Sequence, residues 1–253
     1  MFAAARPGGV LPGATTSRLA RGARLKRELP PPLPPEQRTV GQLVAETIRV
    51  YGRHFVPALP LGIVVGVVNQ LTAGISRVGV GLVLVAAAPI FAAGYAYATR
   101  IATGAPVPLR SWVVAIVVGS LVFVPAALLF PWFALAGVFW LALIGLAVPA
   151  ALQERASFGN SLRRGLALGR VDYVHSAGSL ATLVILFFLT RLGLALLLES
   201  QADNTVRTAI LLSDTVLAPL LFLGGVVLYG DQDARLRSRG EVTKGVRCRR
   251  TSC

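Results

Sequence analysis

From residue 55 onward the chain alternates long apolar runs with short polar breaks. Six runs stand out, at 55–76, 79–99, 111–130, 132–152, 174–198 and 208–229. A hydrocarbon core of about 30 Å is crossed by roughly 20 helical residues, so each run has the length of a membrane-spanning helix. The break between the third and fourth runs is little more than Pro131, which predicts a tight helical hairpin. Pro89 and Pro125 fall inside runs and predict kinks, because proline removes a backbone donor and crowds the preceding turn.

Two shorter segments carry a different pattern. In TVGQLVAETIRVYGR (39–53), Val40, Leu43, Val44, Thr47, Ile48 and Tyr51 recur at helical spacing, with Gln42, Glu46, Arg49 and Arg53 opposite them. That spacing predicts an amphipathic helix too short to span, lying in the membrane interface. In ERASFGNSLRRGLALGRVD, between the fourth and fifth runs, Phe158, Leu162 and Leu166 form a stripe of period four flanked by arginines. The pattern predicts a second interfacial helix. The fold class expected is therefore all-α: six transmembrane helices plus two interfacial amphipathic helices.

Residues 1–38 show no apolar periodicity and end in ELPPPLPPEQR. They read as a disordered, basic, proline-rich cytoplasmic arm with a short polyproline II piece. A transit peptide is the other reading of an arginine-rich, acid-free start, and no apolar stretch of secretory type follows it. The six-helix domain then occupies 39–230, and 231–253 reads as a basic, solvated cytoplasmic tail.

Composition fits this organisation: 55% of residues are hydrophobic, 14% are charged, and the mean hydropathy is +0.68. A soluble domain of 253 residues carries more charge. The net charge of +14 is concentrated in the breaks and termini. Segments 1–54, 100–110, 153–173 and 230–253 hold 22 of the 25 lysines and arginines. Basic loops stay in the cytoplasm, so both termini are expected there, in a bacterial cytoplasmic membrane. Tyr51, Trp112, Tyr173 and Tyr229 then fall at the inner interface and Trp132 at the outer one, whereas Trp140 is mid-span. The partners implied are the bilayer, anionic headgroups at its cytoplasmic face and a membrane-protein partner, with no nucleic acid.

Catalytic chemistry finds little to work with. The chain has two histidines, His54 and His175, and its two cysteines, Cys248 and Cys253, are both in the last six residues. No P-loop, GxSxG, HExxH or paired CxxC occurs. The sequence predicts no catalytic residue, no metal and no cofactor.

Two groups of polar residues remain. Arg191 interrupts LFFLTRLGLALL about seven residues, or ~10 Å, from the end of the fifth run, and Asp214 in LLSDTVLAP lies at nearly the same depth in the sixth. Alone, each would cost about 2.5–3.5 kcal/mol at mid-membrane on insertion scales. Asn69 and Gln70 in the first run complete a candidate cluster. It reads as a structural ion pair, as an arginine reaching for the outer headgroups, or as a substrate or lipid-headgroup site. At the cytoplasmic side, Glu154 is followed by Arg155, Arg163 and Arg164. The carboxylate is expected to pair with one of these arginines, and the arginines to contact anionic lipid. Gly62 and Gly66 form a GxxxG of the kind that lets helices approach closely, a spacing that 26 glycines also produce by chance.

Three stretches carry a resemblance. LVAETIRVYGRHF is similar to the amphipathic start of the bacterial glycerophosphoryl diester phosphodiesterase membrane-domain family and of the related YciC-like proteins. VPAALQERASFGNSLRRGLALGR resembles that family's central signature, with Pro149, Glu154, Arg164 and Leu168 at its positions and Gly165 where the family usually has serine. LYGDQDARLRSR resembles its closing segment, through Tyr229, Asp231 and Arg235. The resemblance covers roughly 39–238. It implies six membrane helices and no catalytic centre, since the family's enzymatic part is a separate soluble barrel. The function expected is a non-enzymatic membrane module that binds lipid or a partner and supports envelope organisation. The rival is a transporter or channel built on the Arg191/Asp214 cluster.

Overall fold

The computed structural model describes residues 34–251, of which 34–239, Glu36 apart, are described to their side chains. The predicted arm over 1–38 lies outside them except for its last five residues. These are ordered: a 3-10 turn forms at Pro35–Gln37, and Arg38 pairs with Asp231 at 3.0 Å. The remainder is helical, and no strand occurs among the described residues. The helices are α1 Val40–Arg53, α2 Phe55–Leu71, α3 Arg77–Thr103, α4 Leu109–Leu129, α5 Ala134–Ile144, α6 Ala147–Gln153, α7 Phe158–Val171, α8 Tyr173–Leu197 and α9 Asp203–Thr251.

Helix α1 starts on a capping box. The Thr39 hydroxyl accepts from the Gln42 N–H, and the Gln42 side chain accepts from the Thr39 N–H, which satisfies two of the donors a helix start leaves open. Its buried stripe is Leu43, Thr47 and Tyr51, packed on α8 and α9. Ile48, expected on that face, is exposed. At His54 the chain bends by 107° into α2. Helix α2 ends at Leu71, short of the expected 76, and at 17 residues measures about 25 Å.

The fourth run is not one helix. It breaks at Gly145–Leu146, between α5 and α6. Pro149 has no N–H to give the Gly145 carbonyl, and its ring crowds that carbonyl, so the helix restarts with Pro149 in its first turn. Pro89 and Pro125 sit inside helices that continue past them, as does Pro219. The turn around Pro131 joins α4 to α5 as predicted. Trp140, mid-span, donates its indole N–H to the Val122 carbonyl at 2.9 Å and so ties α5 to α4.

Helix α7 forms where expected, and it packs within the protein by a face beside the apolar stripe. Its buried residues are Ser161, Gly165, Leu168 and Gly169, not the Phe158/Leu162/Leu166 stripe. A Cβ on Gly165 would lie 2.5 Å from the Ala147 nitrogen, and one on Gly169 would lie 2.0 Å from the Leu143 carbonyl oxygen. The helix therefore lies backbone against backbone on the α5–α6 break. A serine at 165, as in the resembling family, would not fit without movement.

Helix α9 is the axis of the bundle and packs against α1, α2, α3, α7 and α8. It does not stop near 230: it runs 49 residues, about 73 Å. Asp231, Gln232 and Asp233, assigned to a solvated tail by the sequence, are buried. Tyr51 and Tyr229, expected as interfacial aromatics, are also buried, 8% and 4% exposed. Their hydroxyls are taken by the Val216 carbonyl and by Glu154.

Five spans (α3, α4, α5 with α6, α8 and α9) are long and apolar enough to cross a membrane, and a sixth is reached if the bent α1–α2 pair counts as one. Their outward faces carry exposed Ile63, Val117, Leu121, Ile185, Leu189 and Leu192. A soluble monomer rarely shows contiguous apolar surface on this scale. Both observations fit a protein that crosses a membrane several times.

Candidate functional site

The crossing of α2 on α9 sets the first group of residues. Pro219 cannot donate to the Thr215 carbonyl, so that oxygen is left free within α9. Gly62 lies directly over it, where a Cβ would come within 2.0 Å of the oxygen. One turn on, a Cβ on Gly66 would meet the Leu211 side chain at 2.7 Å and Asp214 Cβ at 3.5 Å. The GxxxG is thus a true helix contact. It brings the next turn of α2 against Asp214.

Asp214 is fully buried. Asn69 Nδ2 donates to its Oδ2 at 2.8 Å. Its Oδ1 faces Arg191 Nε of α8 at 3.5 Å, within ion-pair range, and makes no hydrogen bond. Arg191, Asp214 and Asn69 therefore meet. Gln70 does not join them; it points along α9 and donates to the Arg207 carbonyl at 2.8 Å. The Arg191 side chain is one-quarter exposed, and its guanidinium carbon sits 5.7 Å from the centre of the Phe187 ring. It makes no hydrogen bond among the described residues, although a guanidinium has five donors.

Beside this cluster the bundle forms a half-open cavity of about 530 Å³. Arg191, Asn69 and Thr72 line it at the end where α2, α4 and α8 finish. The wall is apolar, with Phe91, Phe123, Leu141, Phe187 and Phe222 among its side chains, and it reaches Tyr95 and Gly225 mid-bundle. The sequence signalled the polar rim through Arg191. The space itself was not legible, because its lining comes from helices α2 to α5, α8 and α9.

The second group gathers where α6 and α8 meet the far part of α9. Of the three candidate arginines, Arg164 pairs with Glu154, Nε to Oε1 at 2.7 Å. The same guanidinium reaches Asp233 of α9 at 2.7 Å, and Tyr229 donates to Glu154 at 3.0 Å. Burial alone would lower the Arg164 pKa. The hydrogen bond and charge of Glu154, then the charge of Asp233, hold it above its ordinary value instead. Arg235 pairs with Asp172, the residue that caps α8, and also donates to the Arg38 carbonyl at 2.7 Å. Tyr229, Asp231 and Arg235, matched to the closing segment, each fasten a different element to α9. Pro149 is buried at the break in front of them. Arg155 and Arg163 are exposed and have no ion pair among the described residues. Asp172, Asp233 and Arg38 were missed, since their partners lie 63, 69 and 193 residues away.

This network is structural in form, with each guanidinium spent on a carboxylate or carbonyl. Arg164→Lys is expected to lose one of its two carboxylates, because an ammonium lacks the fork that reaches both. The expected cost is roughly 1 kcal/mol, given the partial exposure of Glu154, read as a lowered melting temperature in detergent. Equal stability of the lysine variant would show that the fork is not needed.

Comparison of the chain with protein-family models, with curated proteins and with solved structures finds no match.

Proposed function

We propose that this chain is a non-enzymatic, six-span membrane module that holds one acyl chain of an anionic lipid between its helices. The observation that carries the reading is the apolar cavity with Arg191 at its rim. Ligand cavities commonly measure about 300–1,000 Å³ and combine apolar walls with a few placed polar groups. At about 530 Å³ this one has room for a single chain. The Arg191 guanidinium keeps its ion pair with Asp214 at 3.5 Å but makes no hydrogen bond among the described residues, so it has donors left for an anionic acceptor beside hydrocarbon.

The rest of the proposal follows the sequence. The α1–α2 pair is the first of six spans, with α1 and α7 at the cytoplasmic interface and both termini inside a bacterial cytoplasmic membrane. The Arg191 end of the cavity then opens towards the outer leaflet. The resemblance to the glycerophosphoryl diester phosphodiesterase membrane-domain family supports a membrane role without hydrolysis, in envelope organisation. Transport is favoured less, because the cavity wall beyond Asn69 and Arg191 offers no polar path until Tyr95.

Native mass spectrometry tests the reading. Detergent-purified protein given oleate is expected to retain one oleate, and Arg191→Met to retain far less. Monoolein, of the same chain length but uncharged, should bind weakly to both. Equal retention of oleate and monoolein by both proteins would contradict it.

A further inference from the structure

A second cavity, of about 460 Å³, lies between the starts of α4 and α7. It is polar where the first is apolar. Its lining includes Arg110, Ser111, Arg155, Ser157 and Asn160, and no acidic residue.

Two helix starts open on it. In α4, Pro108 is the N-cap and supplies no side-chain bond; in α7, Ser157 is the N-cap and its hydroxyl makes no capping bond. The first N–H groups of a helix have no partner within it and carry the positive end of its dipole. Helices of 21 and 14 residues therefore both begin at the border of one space. Arg110 and Arg155 add two guanidinium groups, both exposed and both without an ion pair among the described residues. Glu154, the neighbouring carboxylate, is already bound to Arg164 and Tyr229.

Ser111 supplies an independent sign. It is 6% exposed, lines the cavity, and its hydroxyl has no hydrogen-bond partner among the described residues. The residue is otherwise packed away, but its Oγ stays accessible and is free to donate to a ligand in the cavity. Its polar neighbours in the lining are Arg110, Arg155, Ser157 and Asn160, all of which can donate, and none is acidic.

We propose that this cavity binds a phosphate group. Arg110 and Arg155 would clamp it, with Ser111, Ser157 and the backbone N–H groups of the two helix starts completing the donors. Guanidinium groups and helix starts are the donors that phosphate geometry favours. Sequence reading singled out Arg155 as a general lipid contact; Arg110, Ser111, Ser157 and Asn160 come from the fold. The site stands on different residues from the acyl cavity, so either can fail without the other.

The phosphate could belong to a soluble compound or to a lipid headgroup, and two arms separate these. In the first, the full chain in phosphatidylcholine nanodiscs is titrated with inorganic phosphate by calorimetry, in chloride buffer. In the second, detergent-solubilised chain is titrated with phosphatidic acid by native mass spectrometry. Saturable binding in either arm supports the site and names its source. The double variant Arg110→Gln/Arg155→Gln is expected to weaken that binding at least tenfold, and Ser111→Ala several-fold. Arg53→Gln/Arg170→Gln, at exposed arginines outside the cavity, should leave it unchanged. Melting temperatures of all variants should match the parent, since none of these side chains holds the fold. Absence of saturable binding in both arms, or equal loss in both double variants, would overturn the proposal.

Discussion

Arg191→Met is expected to destabilise the protein by about 2–3 kcal/mol, and the double change Arg191→Met/Asp214→Leu by clearly less. Breaking a buried pair leaves one charge without its partner, which costs about 3–5 kcal/mol in well-buried cases. Here the two ends are unequal. Asp214 is fully buried, whereas the Arg191 side chain is one-quarter exposed. Loss of Arg191 strands a carboxylate that Asn69 alone then serves, at 2.8 Å. Loss of Asp214 strands an arginine whose long stem can carry its charge towards water or headgroups. Asp214→Leu alone should therefore cost less than Arg191→Met. The double-mutant cycle, read by thermal unfolding in detergent, should give a coupling of about 1–2 kcal/mol. Strict additivity would mean that the two charges do not interact.

The second large effect is expected at Gly62. A Cβ there meets the Thr215 oxygen at 2.0 Å, its carbonyl carbon at 2.5 Å and its Cα at 2.6 Å. These are backbone atoms of α9 and cannot rotate aside. Gly62→Val must push α2 off α9, where overpacking costs about 1–3 kcal/mol. The same displacement draws Asn69 away from Asp214, so the upper end of that range is expected. Gly193 in α8 is the control, because nothing lies within 4 Å of a Cβ built there. Gly193→Ala should leave the melting temperature unchanged or slightly higher, as alanine is the better helix former. Equal tolerance at both positions would remove close packing as the basis of the α2–α9 contact.

These two sites also show what the sequence could and could not tell. Helical periodicity and run length placed most helices near their observed positions, because each is set by local composition. The depth argument set Arg191 against Asp214, since two consecutive spans joined by a short loop must run antiparallel. It failed for Gln70, whose neighbour Asn69 points a different way around the same helix. The Phe158/Leu162/Leu166 stripe marked the helix but not the face by which it packs within the protein. In α7 the buried face is made of small residues instead, chosen by the approach of the α5–α6 backbone. The end of α9 misled: Asp231, Gln232 and Asp233 look solvated in sequence, but Arg38 and Arg164 come from distant segments to meet Asp231 and Asp233. Both cavities depend on several helices at once, and no single stretch announces them.

The most direct measurement is a fluorescence titration with cis-parinaric acid, an anionic acyl chain that brightens on leaving water. Wild-type protein, Arg191→Met and Leu141→Trp are compared in the same detergent. Leu141 lines the apolar cavity, and tryptophan there should fill it. The expected result is one saturable site in the wild type, at least tenfold weaker in Arg191→Met and absent in Leu141→Trp, with the phosphate-site variant Arg110→Gln/Arg155→Gln unaffected. Identical titrations for the wild type, Arg191→Met and Leu141→Trp would place the probe in the detergent or on the outer surface, and the acyl-binding cavity would have to be abandoned.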